Sequence, residues 1–212
     1  MKRTVGIGHQ DFEKIRTENV FYVGALGVEN IRMQSLMDRH ELSQIIGFSL
    51  DMPYVMVTFH PVTLENNTAG EQFENLLEAL VQYKEFHIIF TKANADTNGR
   101  IINQKIAQYV EQNHDRAIAY ASLGMIRYLS ALKYCEMVIG NSSSGITEAP
   151  SFRVPTINIG NRQSGRIRAE SVIDCGNRIE EISEAIEKAK RIKSEGMLQN
   201  MENPYEKSGT SE

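Results

Sequence analysis

Apolar residues fall in short, nearly unbroken runs at 20–25, 54–59, 87–91, 117–121, 137–139 and 154–159. Strands wetted on one face alternate apolar and polar positions, whereas strands covered on both faces do not. These runs therefore predict buried strands of a parallel sheet. Between them the spacing changes to that of a helix. Phe73, Leu76, Leu77 and Leu80 form one stripe, and Ile126, Leu129 and Leu132 a second. Ile179, Ile182, Ile186 and Ala189 form a third, ringed by Glu and Lys. Strand and helix in alternation predict an α/β fold, a parallel sheet with helices on both faces. No internal repeat or low-complexity segment interrupts it. The pattern predicts three parts: 1–19 without a clear element, a domain over 20–194, and a tail over 195–212 that loses periodicity. That tail is expected to be loose or docked on something outside this domain.

Composition narrows the class. The 212 residues are 41% hydrophobic and 24% charged, which excludes a disordered chain and a long coiled coil. A net charge of −4 argues against a general nucleic-acid binder. No apolar run approaches the roughly 18 residues of a membrane span, and the N-terminus lacks the apolar core of a signal peptide. Cys135 and Cys175 match no metal-ligand spacing and read as ordinary thiols of a reducing cytoplasm. Neither a metal nor a cofactor is expected.

In an open parallel sheet, ligands bind beyond the carboxyl ends of the strands. The segments that follow the predicted strands are rich in glycine and polar residues. They include Gly24–Gly27, His60-Pro-Val-Thr63, Lys92 to Gly99 with Asn94 and Asp96, Ser122 to Gly124, GNSSSG at 140–145, and Gly160 to Arg166. A rim with a histidine, three consecutive serines and paired arginines suits an anionic ligand. The strongest local signal is GNSSSGITEAPS at 140–151, a strand end opening into a predicted helix. Small residues there permit close approach to backbone N–H groups, and Ser142, Ser143 and Ser144 would add hydroxyl donors. The same residues read equally well as a simple helix cap by Asn141 or a serine. Glu148 suits the two hydroxyls of a ribose, or is a solvated glutamate near a helix start. His60 can donate to a diphosphate or protonate a leaving group, or is a satisfied rim histidine. Arg162, Arg166 and Arg168 could clamp phosphate, or form a solvated basic loop. Asn94 reads as a turn residue as readily as a ligand-binding one.

The motifs carry a resemblance. VIGNSSSGITEAPSFRVPTINIGNRQSGRIRAESVIDC at 138–175 resembles the C-terminal half of UDP-N-acetylglucosamine 2-epimerases, in particular the hydrolysing branch that supplies N-acetylmannosamine for sialic acid synthesis. VGALGVENI (23–31), VTFHPVTLE (57–65), FTKANADTNGRIIN (90–103) and SLGMIRYLSALKY (122–134) are similar to the same branch. The resemblance spans about residues 15–205. It implies a Rossmann-like domain like the C-terminal half of a GT-B fold, with UDP or UDP-N-acetylglucosamine as ligand. By motif, Ser142, Ser143 and Ser144 would contact the diphosphate, and Glu148 the ribose hydroxyls. His60 and Arg162 would sit by the phosphates and the scissile sugar bond, in catalytic positions. Asn94 and Gly24 would line the nucleotide pocket. The resemblance also implies partners: an N-terminal domain that precedes the matched region in the family, to which the tail would return, and other copies of the chain in a homo-oligomer. Two further readings remain open. One is the UDP-sugar-binding half of a GT-B glycosyltransferase, and the other is a non-catalytic UDP-sugar-binding module.

Overall fold

The computed structural model describes residues 25–62, 68–94 and 97–206. The strand expected over 20–25 and the site residue Gly24 lie outside the described residues, as do Thr63 and Asp96. Only Ala25 of that strand is described, and it is the N-cap of the first helix.

Among the described residues six strands follow in chain order: β1 (Tyr54–Thr58), β2 (His87–Thr91), β3 (Ala117–Tyr120), β4 (Met137–Gly140), β5 (Thr156–Ile159) and β6 (Val172–Cys175). They form one parallel sheet in the order β3-β2-β1-β4-β5-β6. Helices α1 (Leu26–Met33) and α2 (Arg39–Ile46) precede it. The crossovers carry α3 (Ala69–Val81), α4 (Thr97–Gln112), α5 (Met125–Tyr134) and the one-turn α6 (Ser144–Thr147), which runs into a 3₁₀ turn (Ala149–Phe152). Helix α7 (Ile179–Ser194) closes the domain.

Side chains alternate across β1 and divide the core in two. Val55 and Val57 join Phe73, Leu76, Ile102, Ile106, Ile182 and Ile186 under α3, α4 and α7. Tyr54 and Met56 join Leu42, Ile46, Leu129 and Leu132 under α2 and α5. Both layers are apolar, so β1 is buried at every position and its sequence cannot alternate. The Tyr54 hydroxyl donates to Ala131 O at 2.8 Å, tying β1 to α5.

The expected helical stripes are present, with one change. Leu129 and Leu132 are buried, but Ile126, on the first turn of α5, is exposed. Strand β6 and helices α1, α2 and α4 are additions to the pattern read from the sequence. The described part of the tail is docked on this same domain. Leu198 and Asn203 are buried, and Tyr205 O accepts from Ala25 N at 3.0 Å.

Candidate functional site

The strand order reverses direction between β1 and β4. Crossovers from these two neighbours leave toward opposite faces of the sheet, so their loops part and open a crevice at the carboxyl ends. His60 follows β1 there, and Asn141 and the three serines follow β4. The strands meet closely. Gly140 has φ +136, and a Cβ at that position would lie 2.0 Å from Thr58 O. Only glycine permits this backbone and this approach.

Asn141 organises the crevice. It is buried, and its backbone N–H donates to Thr58 O at 3.1 Å. Its side chain pairs with the main chain of His60 in both directions: Oδ1 accepts from His60 N at 2.7 Å and Nδ2 donates to His60 O at 2.8 Å. Its carbonyl accepts from Arg162 Nη1 at 3.1 Å and from Gln163 Nε2 at 2.8 Å. One residue thus fixes the ends of β1 and β4 and the loop after β5 to each other. His60 and Arg162, 102 positions apart by their numbers, are brought to the same residue. Asn141 is therefore no helix cap. The N-cap position of α6 is Ser143, whose side chain makes no capping bond.

The anion loop differs from expectation in one physical respect. The helix it opens is a single turn, four residues long, so little macrodipole accumulates behind it. Any anion there must be met by hydroxyls, loop amides and arginine rather than by a long helix. Ser142 and Ser143 are partly exposed at the loop. Ser144 turns inward: its Oγ is buried beside the Tyr128 hydroxyl. Burial pushes the Tyr128 phenol up to about 12, so it remains a neutral hydroxyl at physiological pH. Beneath the loop the Thr58 and Thr91 hydroxyls pair across β1 and β2.

The arginines divide. Arg162 is exposed, and partial desolvation and the like charge of Arg166 push its pKa below the usual arginine value. A guanidinium so placed gains from an arriving anion. Arg166 is exposed beside it. Arg168 is committed to structure: it pairs with Asp174 at 2.7 Å and donates to Arg166 O and Gln163 O.

Glu148 follows α6, half-buried, with Oε2 bonded by the Thr147 hydroxyl. It lies against the start of α1, where a Cβ added to Gly27 would fall 2.1 Å from Glu148 Oε1. Asn94 is exposed after β2, next to Ala93, whose main chain is held by Asn103 through bonds of 2.9 and 3.0 Å. It stands one strand away from the crevice. The structure thus gathers His60, Arg162 and the serine loop around Asn141 and places Glu148 one turn further on. Sequence reasoning missed the bridging roles of Asn141 and Gln163. Their loops were legible as polar rims, but their pairing across the crevice was not.

A doubly wound parallel sheet with its polar loops gathered at the switch point defines a Rossmann-like α/β domain. The chain belongs to the UDP-N-acetylglucosamine 2-epimerase family, whose model matches residues 12–212. It is 36% identical over 187 residues to a GDP/UDP-N,N'-diacetylbacillosamine 2-epimerase (hydrolyzing) of Campylobacter jejuni, covering 88% of this chain and 47% of that protein. It is 37% identical over 205 residues to polysialic acid biosynthesis protein P7 of Escherichia coli, covering 96% and 50%. Its fold matches the Methanocaldococcus jannaschii UDP-GlcNAc 2-epimerase, solved in complex with UDP-GlcNAc and UDP, with TM-score 0.70 and 19% identity, over 94% of this chain and 54% of that one. The chain spans about half the length of the curated relatives it matches. Its architecture is that of one Rossmann-like half of a GT-B pair.

Proposed function

We propose that this chain is the UDP-binding half of a hydrolysing UDP-N-acetylglucosamine 2-epimerase. The observation that carries the reading is the Asn141 junction, which joins the GNSSSG loop, His60 and Arg162 at one crevice. The diphosphate lies over that loop and accepts from Ser142 and Ser143. Arg162 and His60 meet its outer oxygens, and Glu148 accepts from the ribose hydroxyls. Ser144 supports the loop from below, and Asn94 borders the nucleotide pocket.

The reaction begins at C2 of the sugar. A base contributed by the partner domain removes the C2 proton, and the electron pair forms the C1–C2 double bond as the C1–oxygen bond to UDP breaks. Water then adds to the 2-acetamidoglucal, its hydroxyl at C1 and its proton at C2 on the opposite face. The products are N-acetylmannosamine and UDP. Negative charge grows on the departing diphosphate, so donors fixed there before the step lower the barrier. Arg162 supplies a full positive charge, and His60 a proton or hydrogen bond at the leaving oxygen. The relatives' names include diacetamido sugars. The UDP half of the site serves those as well, and the sugar is selected mainly by the partner domain.

Complementation tests the reading. Mixing this chain with a separately produced N-terminal half of a related epimerase should release N-acetylmannosamine and UDP from UDP-N-acetylglucosamine, with both halves required. Arg162→Ala should lower that rate by about 100-fold, the usual scale for one charge-stabilising donor. Transfer of intact sugar to an acceptor alcohol, or binding of UDP-sugar without turnover, would overturn it in favour of a transferase or a binding module.

A further inference from the structure

The polar end of the tail makes bonds that a packing role does not require. Asn203 is buried. Its Nδ2 donates to Thr147 O at 2.8 Å and to Ser151 Oγ at 2.7 Å, on either side of Glu148. Its Oδ1 accepts from Tyr205 N at 3.0 Å, which folds the tail into a tight turn. Tyr205 then reaches two other parts of the site. Its carbonyl accepts from Ala25 N at the start of α1, and its hydroxyl donates to Ile167 O at 2.9 Å on the loop that carries Arg162. The Arg32–Glu206 ion pair beyond it is exposed and adds little.

Glu148 is thus flanked on two sides. Asn203 brackets its turn from one side. From the other, the start of α1 lies beside the carboxylate, so that a Cβ on Gly27 would displace the Glu148 side chain, and the Ala25 N–H there donates to Tyr205 O. We infer that Asn203 is a positioning residue for the nucleotide site: the tail holds the Glu148 carboxylate where it accepts from the ribose. The inference rests on the reading of Glu148 as the ribose acceptor. A carboxylate on a short turn that was free to swing would lose orientation on binding, and a preorganised one does not. Asn203 touches no ligand itself.

The test is calorimetric titration of the whole chain with UDP and with 2′,3′-dideoxy-UDP, which lacks both ribose hydroxyls. Glu148→Ala sets the scale by removing the preference for UDP. Asn203→Ala should weaken UDP by about 10-fold and leave dideoxy-UDP unchanged. Asn203→Leu keeps the buried volume without adding charge but cannot make the two donations, and should do the same. Gly27→Ala presses on Glu148 from the opposite side. Alanine favours a helix over glycine, so a selective loss of UDP affinity there cannot arise from unfolding. If Asn203→Ala does not fold, these two variants carry the test. Equal weakening of both nucleotides by the Asn203 and Gly27 variants, or no weakening by either, overturns the inference while Glu148→Ala stays selective. A Glu148→Ala protein that keeps its preference for UDP overturns the ribose reading itself, and the inference with it.

Discussion

Gly140 shows how one residue sets the geometry of the crevice. Its positive φ and the closeness of Thr58 O leave no space for a methyl group. Gly140→Ala must either twist the end of β4 or part it from β1. It should lower stability by about 3 kcal/mol, from overpacking and backbone strain together, as read by urea unfolding. A loss under about 0.5 kcal/mol, the range of an ordinary surface change, would show that the strands separate freely there. The cysteines make the opposite point, that composition alone assigns them no chemistry. Burial pushes the Cys135 thiol up to about 12. Burial, with Glu181 and Asp174 nearby, pushes Cys175 up to about 12 as well. Only the thiolate is nucleophilic, and it is scarce several pH units below the pKa. Iodoacetamide at pH 8 should label neither in the folded protein and both after denaturation. Rapid labelling of the native chain would contradict this.

At the level of elements, the buried strands were legible because burial on both faces demands unbroken apolar runs. Edge strand β6 was not. Asp174 is exposed within it, so the run is interrupted and the segment reads as loop. Helix α4 buries Ile102, Ile106 and Tyr109 at helical spacing, yet it opens among Asn, Asp and Gly residues that read as a turn. The polar loops were legible as candidates. Their assembly was not, because Asn141 pairs with a residue 81 positions away, and Asn203 with Thr147 at a separation of 56. No local pattern encodes such pairs. Asn141 joins the ends of β1 and β4 to the loop after β5. Asn141→Ala removes both side-chain bonds to the His60 main chain, at a cost of about 2–3 kcal/mol, so the melting midpoint should fall by about 4–12 °C. UDP binding should weaken together with it, because His60 and Arg162 lose their common anchor. A variant that melts normally and binds UDP normally would show that the junction is incidental.

For the whole molecule, the fold gathers its polar loops at one crevice. Family, strand order and crevice agree on a Rossmann-like half, and this chain covers about half of its relatives. Among the described residues no helix is long and apolar enough to cross a membrane. On the proposed reading, chemistry at the sugar needs a partner domain, but recognition of the nucleotide diphosphate does not. The Asn141 junction, the serine loop and the half-buried Glu148 are all assembled within this chain. The most direct measurement is therefore a calorimetric titration of this chain alone with UDP, against uridine and GDP. UDP should bind saturably and one-to-one, much more tightly than uridine, which lacks the diphosphate, while GDP reads how far the base matters. Binding should be weakened by Ser142→Ala and Glu148→Ala. Heats for UDP no different from those for uridine would contradict a nucleotide site at the β1–β4 crevice.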